Sequence, residues 1–322
     1  MSTAELQLSS GVLRARVRQV RASSFGVAVI TGVLVGAAVA DLARGGRLMG
    51  VLSAGRAELA APLLVGLMVG TALCERRWPA EERPLFARGH LQDACYLALH
   101  AALVIPLMTL LSVGSALLLE SYLPWIELRP AEHLPRALLV VLTIVAMDGA
   151  NWLAHYADHR LEALWRFHAL HHSQEELSVL TSFRAHPLMH TTGFILATVP
   201  VVVLMPTLPI APVLITTYVC VGTLQHANLR WTFGPLGKFI VSPAYHRLHH
   251  DPLRQDLNLG VVLVVWDLLS GRARFPSPAD PVRTTGLAGR PVPVEQQVRS
   301  AGVRLMATQL AEPFKVRGRP VS

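Results

Sequence analysis

The chain has 322 residues, of which 52% are apolar and 16% are charged, whereas soluble domains carry about 25% charged residues. This composition excludes a disordered chain, a coiled coil and a secreted disulfide scaffold, and it favours a membrane protein. The 29 Lys and Arg residues outnumber the 21 Asp and Glu residues, but no basic stripe is interleaved with aromatic residues, so we predict contact with anionic lipid headgroups and no nucleic-acid partner.

Apolar runs along the chain predict an all-α fold, a multi-span membrane helical bundle. Because about 20 apolar residues cross a bilayer as a helix, spans are predicted at Phe25–Ala40, Leu59–Cys74, Ala94–Leu119 and from Ala137 toward His155. The fifth apolar region, Pro187–Gln225, is interrupted by four prolines. Proline at this density breaks a straight helix, so we predict a helical hairpin that dips into or crosses the membrane there.

The distribution of arginines orients the predicted spans. Four arginines lie within Glu75–His90, so the positive-inside rule places this segment and the N-terminus in the cytoplasm. The histidine-rich region that follows the fourth span is then cytoplasmic as well. We predict that it forms a helical cap on the cytoplasmic face of the bundle.

Histidine is concentrated in one part of the chain, where eleven of the fourteen lie between His155 and His250. His155 and His159 are four residues apart at the end of the fourth span, so both face the same side of a helix. Asp148 lies two turns earlier on that stripe. Because a carboxylate in an apolar span needs a partner, we predict that it accepts a hydrogen bond from a ligand imidazole or else lines a water-filled cavity.

Two HxxHH motifs follow, at His168, His171 and His172 and at His246, His249 and His250. Spacings of three and four residues place the three imidazoles of each motif on one helical face. Surface histidines at a helix end would explain a single motif. Two copies together with an HxxxH pattern favour metal binding.

Three more histidines lie between the two motifs. His226 is predicted to end the second helix of the hairpin and to join the cluster as a ligand. His186 and His190 are candidate ligands too, with a substrate-facing group or an ordinary helix-start residue as the alternatives. The remaining histidines, which we predict to be structural or loop residues, are His90, His100 and His133.

The number of imidazoles indicates the chemistry. Eight or nine neutral imidazoles exceed the three or four ligands of one zinc ion, so they predict two metal ions. Imidazole suits iron, zinc and copper. The chain has no HExxH sequence and no paired cysteines, which argues against a zincin protease and an iron–sulfur cluster. A pair of iron ions that activates O₂ at the membrane surface would use all of these side chains.

The ordered series of motifs resembles the fatty acid hydroxylase and sterol desaturase superfamily. In chain order the motifs are His155–His159, Trp165–Ser173, Arg184–Pro187, Gln225–Asn228, His246–His250, Asp256–Gly260 and Trp266–Asp267. The resemblance covers a di-iron domain at about residues 91–271. The apolar runs and charges divide the rest of the chain into a basic flank with two transmembrane helices at residues 1–90 and a basic cytoplasmic tail at 272–322.

The resemblance implies a membrane-embedded, non-haem di-iron oxygenase. Such an enzyme hydroxylates or desaturates a C–H bond of a fatty acyl, sterol, carotenoid or ether lipid with O₂ and electrons from a separate donor protein. The implied ligands are His155, His159, His168, His171, His172, His226, His246, His249 and His250. Asp148 and Asn228 are then predicted catalytic residues. Many relatives have an acidic residue where this chain has Met189, so the tenth ligand is open and His190 is a candidate.

Two functions of other classes stay open. A histidine-lined metal transporter or metal store would spread its ligands along a pore or a flexible loop. A zinc-dependent membrane hydrolase would need a general base, for which Glu175 and Glu176 are candidates. Helical triads close to one face of the membrane favour a closed catalytic site over both.

Overall fold

The computed structural model of the protein describes residues 56–84, 87–123, 125, 133–204, 221–276, 284–288, 292–294 and 302–315. The predicted span at Phe25–Ala40 lies outside the described residues, and so do residues 205–220 of the predicted hairpin.

The described residues form helices joined by loops, with isolated β-bridges at Pro79–Leu229 and Ile240–Leu263, which confirms the all-α fold class. The α-helices are α1 (Arg56–Arg77), α2 (Arg88–Leu99), α3 (Ile105–Tyr122), α4 (Arg136–Arg160), α5 (Glu162–His172), α6 (Met189–Leu204), α7 (Pro243–His249), α8 (Val265–Leu269) and α9 (Val303–Ala311). A π-helical turn at His100–Val104 joins α2 to α3, and 3₁₀ helices lie at Val179–Phe183, Gly234–Lys238 and Glu312–Phe314.

Three of the predicted spans fall on these helices. Leu59–Cys74 lies within α1, Ala94–Leu119 runs through α2, the π-helical turn and α3, and the run from Ala137 opens α4. Within the part of the chain that the structure describes, no helix is both long enough and apolar enough to cross a membrane. The helical positions are confirmed, whereas the membrane crossings stay predictions.

The centre of the fold is α4, which packs most extensively against α6 and also against α5. α4 ends where Leu161 adopts an extended conformation, with φ −102° and ψ 115°, and α5 starts at the next residue. A single extended residue between two helices turns the chain sharply. The histidines near the end of α4 are therefore brought close to those on α5.

A buried ion pair fixes the segment after α5. The guanidinium of Arg184 lies 3.1 Å from Asp93 of α2, and both side chains are fully buried. Arg184 also donates to the Ser173 hydroxyl, and Asp93 accepts hydrogen bonds from Gln174 and Thr181. A buried ion pair is stable when its remaining polar atoms are also hydrogen-bonded. This network therefore holds α2 against the loop that follows α5.

Part of the predicted tail packs onto the domain. Gln309 of α9 is fully buried, where it accepts a hydrogen bond from the Tyr96 hydroxyl at 2.8 Å and donates one to the Pro293 carbonyl at 2.8 Å. Further along, the ring of Phe314 lies 5.6 Å from that of Phe167 on α5. Residues 302–315 thus cover α2 and the outer side of α5.

Candidate metal centre

Nine buried or half-buried histidines form two compact groups. The five-histidine group contains His155, His159, His168, His172 and His249. The four-histidine group contains His171, His226, His246 and His250. Within each group, one ring nitrogen of every residue lies within 4.8 Å of those of the others. The groups are adjacent, because the rings of His172 and His250 stack at 4.5 Å. Each group has the donors to hold a metal ion.

Each HxxHH motif contributes to both groups. In α5, His168 and His172 belong to the five-histidine group and His171 to the four-histidine group. At α7 the roles reverse: His246 and His250 belong to the four-histidine group and His249 to the five-histidine group. Successive helical residues are about 100° apart, so residues i and i+4 are about 40° apart while i+3 and i+4 diverge by about 100°. The helical face that carries each motif therefore contributes histidines to two neighbouring sites.

Ring nitrogens in the five-histidine group have no hydrogen-bond partner although they are buried. This applies to Nε2 of His155, His159 and His249. On the opposite edge of the ring, Nδ1 of His155 lies 2.8 Å from the Leu259 carbonyl, and Nδ1 of His249 lies 2.9 Å from the Leu257 carbonyl. A carbonyl accepts a hydrogen bond, so Nδ1 carries the proton and Nε2 a lone pair. Lone pairs without donors in a buried site fit a cation.

The nitrogens of the four-histidine group are too close together for hydrogen bonding to satisfy them. Nε2 of His226 lies 3.0 Å from Nε2 of His171 and 2.9 Å from Nε2 of His246. A neutral imidazole has a single N–H, and His171 donates its Nδ1 proton to the Arg184 carbonyl at 3.2 Å. One proton on His226 Nε2 cannot serve both neighbours. A cation between the nitrogens satisfies all of them, so this donor set also fits a metal.

The electrostatic environment keeps these imidazoles neutral. Burial lowers the pKa of His171 from its ordinary value of 6.5 to about 3. Burial, followed by repulsion from neighbouring imidazoles, lowers the pKa of His168, His172, His246 and His250 well below 6.5. At neutral pH the lone pairs are therefore available to a metal.

Residues around the groups orient the rings. The Ser182 hydroxyl lies 2.9 Å from His226 Nδ1. The Asp158 carboxylate is the acidic group next to His168, but at 3.7 Å from Nδ1 it is too far away for a hydrogen bond. Partners on the far nitrogen fix the tautomer and rotation of a ligand imidazole. Neither residue was predicted from the sequence. Asp158 had a recognisable signal, because it directly precedes His159, whereas nothing local marks Ser182.

Asp267, of the Trp266–Asp267 motif, is a third residue whose role was not predicted from the sequence. Its carboxylate is fully buried and accepts hydrogen bonds from the backbone N–H groups of Leu259 and Gly260, at 3.0 and 2.8 Å. It also accepts from the Tyr245 hydroxyl and the Trp152 indole, each at 2.9 Å. Asp267 thereby fixes the backbone at Leu259, and the Leu259 carbonyl in turn holds His155. The Trp266–Asp267 motif therefore has a structural role next to the metal centre.

The other predicted site residues lie outside the two groups. His186 packs against Phe167, with ring centroids 4.9 Å apart, and the ring of His190 lies 5.1 Å from that of His100. The structure therefore does not place either histidine as a tenth member.

The two predicted catalytic residues form hydrogen bonds with main-chain groups of other segments. Asp148 accepts hydrogen bonds from the N–H groups of Val262 and Leu263 and from the Trp266 indole, all at 3.0 Å. The Asn228 side chain donates to the Glu81 carbonyl at 2.8 Å. Their catalytic role stays a prediction.

Comparison with known proteins identifies relatives for the histidine-rich part of the chain. Residues 140–272 match the family model for fatty acid hydroxylases. An ornithine lipid hydroxylase from Rhizobium tropici is 32% identical over 188 residues, which are 58% of this chain and 53% of the relative. An alkylglycerol monooxygenase from Danio rerio is 27% identical over 136 residues, which are 40% of this chain and 29% of the relative. The alkylglycerol monooxygenase from Homo sapiens is 28% identical over 133 residues, which are 39% of this chain and 28% of the relative. The chain thus spans about half the length of the first relative. No solved structure matches.

Proposed function

We propose, on the basis of the match of residues 140–272 to the fatty acid hydroxylase family model, that the chain is an oxidoreductase that hydroxylates a C–H bond of a lipid with O₂. The two histidine groups would each hold one iron ion. The observation that carries the proposal is the pair of adjacent groups of buried, neutral imidazoles. Hydroxylation is preferred to desaturation because the relatives are named hydroxylases and monooxygenases.

Iron is the metal that matches both the donors and the reaction. Imidazole binds iron and zinc alike, but zinc has no redox chemistry, whereas hydroxylation of an unactivated C–H bond is an oxidation. A bound iron pair would supply the activation of O₂ and the removal of hydrogen from the substrate. Nine imidazoles in sets of five and four provide enough ligands for two ions, and one ion could not use them all.

The residues of the chain would perform the remaining tasks. The imidazoles stay neutral and hold the ions. Carbonyls of Leu257 and Leu259 and the Ser182 hydroxyl keep the rings oriented. Seven of the nine imidazoles are buried and the other two are half-buried, which limits the access of water to the metals and protects the oxidising centre from side reactions.

The setting of the reaction is part of the proposal. The family is membrane-bound, and its substrates are lipids. The arginines at the end of α1 support a metal centre on the cytoplasmic side of an integral, multi-pass protein. Electrons would come from a separate donor protein, since the cysteines of the chain form no paired motif.

Two observations disfavour the other functions. The Glu176 carboxylate accepts a hydrogen bond from the Gly89 N–H at 2.7 Å and pairs with Arg83 at 3.4 Å, so this candidate base of a hydrolase is engaged away from the imidazoles. The histidines form two closed, buried groups and do not line a path, which disfavours a transporter.

The test is an oxygen-transfer assay on the full chain in membranes. Protein loaded with Fe(II) and supplied with a reductant should introduce one atom of isotopically labelled O₂ into a lipid and bind about two iron ions per chain. The His171→Ala variant should lose this product. Turnover without O₂ by protein that holds only zinc would establish the hydrolase instead.

A further inference from the structure

A cavity of about 900 Å³ lies between the last turns of α1 and the first turns of α2. Its floor is formed by Ser178–Leu180 and Asn228, and the loop of residues 79–84 forms its rim. The floor belongs to segments that also support the four-histidine group: Ser182 contacts His226, and Asn228 follows His226 by two residues. The cavity is thus outside the metal centre but shares a wall with it.

The lining of the cavity changes from apolar to charged along α1. Met68, Val69 and Ala72 line one end, and Glu75 and Arg76 line the other. At 1.5 Å per helical residue, Met68 and Arg76 are about 12 Å apart. Further apolar side chains in the lining come from α2 and from the floor, and they are Leu91, Ala94, Val179 and Leu180. One apolar end and one charged end match a molecule that has a hydrocarbon chain and a polar head.

Some charges at the polar end are already engaged. The Glu75 carboxylate accepts hydrogen bonds from the N–H groups of Val179 and Asn228, each at 2.8 Å. Arg83 pairs with Glu81 and with Glu176. These groups hold the α1 terminus, the rim and the floor together, and they offer little to a ligand.

Three charges remain available at the charged end of the cavity. Arg76 and Glu82 are exposed, and neither forms an ion pair among the described residues. The Arg77 guanidinium lies over the Trp78 ring, 5.4 Å from its centroid, which leaves its hydrogen-bond donors free of a carboxylate. A ligand head would therefore meet two guanidiniums and one carboxylate.

We propose that this cavity binds the lipid substrate and selects a head that carries both an oxyanion and an amine. The oxyanion, a phosphate or a carboxylate, pairs with Arg76 and Arg77. The ammonium pairs with Glu82, and the hydrocarbon chain lies between α1 and α2. A neutral head would leave the guanidiniums without an anion, and a purely anionic head would meet the Glu82 carboxylate. The inference rests on the proposed function, because it assigns this cavity to the substrate of the metal centre.

Lipid binding to the iron-loaded full chain in neutral detergent micelles, without O₂, tests the proposal. Phosphatidylethanolamine carries an amine together with a phosphate, and an Nα-acylated lysine carries an amine together with a carboxylate. Both should bind about tenfold more tightly than phosphatidylglycerol, which has no amine, and diacylglycerol, which has no charge. The ratio of the first two identifies the preferred oxyanion. Diacylglycerol that binds as tightly as either aminolipid overturns the proposal.

Two variants separate the two charges of the head. Arg76→Gln should weaken phosphatidylglycerol and both aminolipids about fivefold and leave diacylglycerol unchanged. Glu82→Gln should weaken only the aminolipids and strengthen phosphatidylglycerol. The matched controls are Arg304→Gln and Glu162→Gln, exposed charges that do not line the cavity. A preference for amines that survives Glu82→Gln contradicts the pairing of the ammonium with Glu82.

A third variant tests the apolar end. Ala72→Trp fills the cavity between α1 and α2, so it should abolish binding of every lipid while the protein keeps its metal. Lipid binding that is unchanged in Ala72→Trp places the lipid elsewhere. Because binding is measured without turnover, head selectivity without any oxygenated product would reject the proposed function and leave the cavity assignment intact. Oxygenation of a lipid without head selectivity would support the proposed function and reject the assignment of the cavity.

Discussion

The five-histidine group and the four-histidine group differ in how the chain builds them. Four members of the first come as i, i+4 pairs on α4 and α5, and two of its rings are held by the backbone carbonyls of Leu257 and Leu259. The second takes His171 from α5, His226 from a turn, and His246 and His250 from α7 and its end. It is held by the Ser182 hydroxyl and the Arg184 carbonyl.

The two sites therefore differ in the number of donors that they can lose. The five-histidine group has one donor more than the four-histidine group, so it keeps four donors after the loss of one ligand, whereas the four-histidine group keeps three. The four-histidine group also depends on contacts between distant segments. Substitutions should therefore damage the four-histidine site first.

The largest effect is expected from the loss of a ligand. His226→Ala leaves three donors in the four-histidine group, so we expect loss of one of the two bound ions and a fall in lipid oxygenation of more than about 100-fold. His159→Ala leaves four donors in the five-histidine group and should keep both ions. Metal content per chain, measured by mass spectrometry, checks this, with His133→Ala in an exposed loop as the control. Equal metal loss in both ligand variants would refute the difference in redundancy.

Acid should destabilise the metal-free protein, and both groups should contribute. The pKa values of His171 and His168 are below 6.5 in the folded state, so below pH 6.5 the unfolded chain binds more protons. Their contribution to the free energy of unfolding is therefore complete above pH 6.5 and falls as the pH drops, by up to about 1.4 kcal/mol per pH unit for each histidine.

Thermal unfolding of chelator-treated protein between pH 5 and 8, roughly the range in which histidine titrates, measures this decline. His171→Gln and His168→Gln remove one proton-binding site each and should flatten the pH dependence to the same extent. A steeper profile in either buried variant would mean that the imidazoles are charged in the folded state.

The buried ion pair next to the four-histidine group should also be sensitive. Asp93→Asn leaves the fully buried Arg184 guanidinium without its counter-charge, which should lower the free energy of unfolding by about 3–5 kcal/mol. Because the Arg184 carbonyl holds His171, the variant should also release the metal of that group first. Glu162→Gln breaks an exposed pair with Arg166 and should cost at most about 0.5 kcal/mol. Similar losses in the two variants would contradict the role of burial.

The helical class and the sharing of a face by His155 and His159 could be predicted because both follow from the sequence of a single helix, whereas the full set of nine ligands was implied by the family resemblance. Residues i and i+4 share a face whatever surrounds them, which is why His155 and His159 belong to one group. The division of each HxxHH motif between two groups could not be predicted, since it depends on where α5 and α7 meet. His190 was a candidate for the same reason, because its sequence position does not reveal that it packs on His100.

Supporting residues were harder to predict than ligands. Ser182 and Asp267 act on residues 44 and 8 positions away, and a serine or aspartate alone carries no signal of such a contact. The docking of α9 was missed because a polar, proline-rich stretch resembles a mobile tail. The buried bond between Tyr96 and Gln309 joins residues 213 positions apart, which composition cannot show.

The smallest effect is expected at the hydroxyl that holds the four-histidine group. Ser182→Ala removes the oxygen 2.9 Å from His226 Nδ1 and leaves the ring held by its hydrogen bond to the Gly222 backbone, so the affinity for the second ion should fall about tenfold. Competition with a chelator measures it, and Ser182→Thr, which restores a hydroxyl, should recover much of the loss. The five-histidine site has no equivalent side chain at His249, whose partner is a backbone carbonyl, so its affinity should be unchanged. A drop at both sites would show that the two ions bind as one unit and that the groups are not independent.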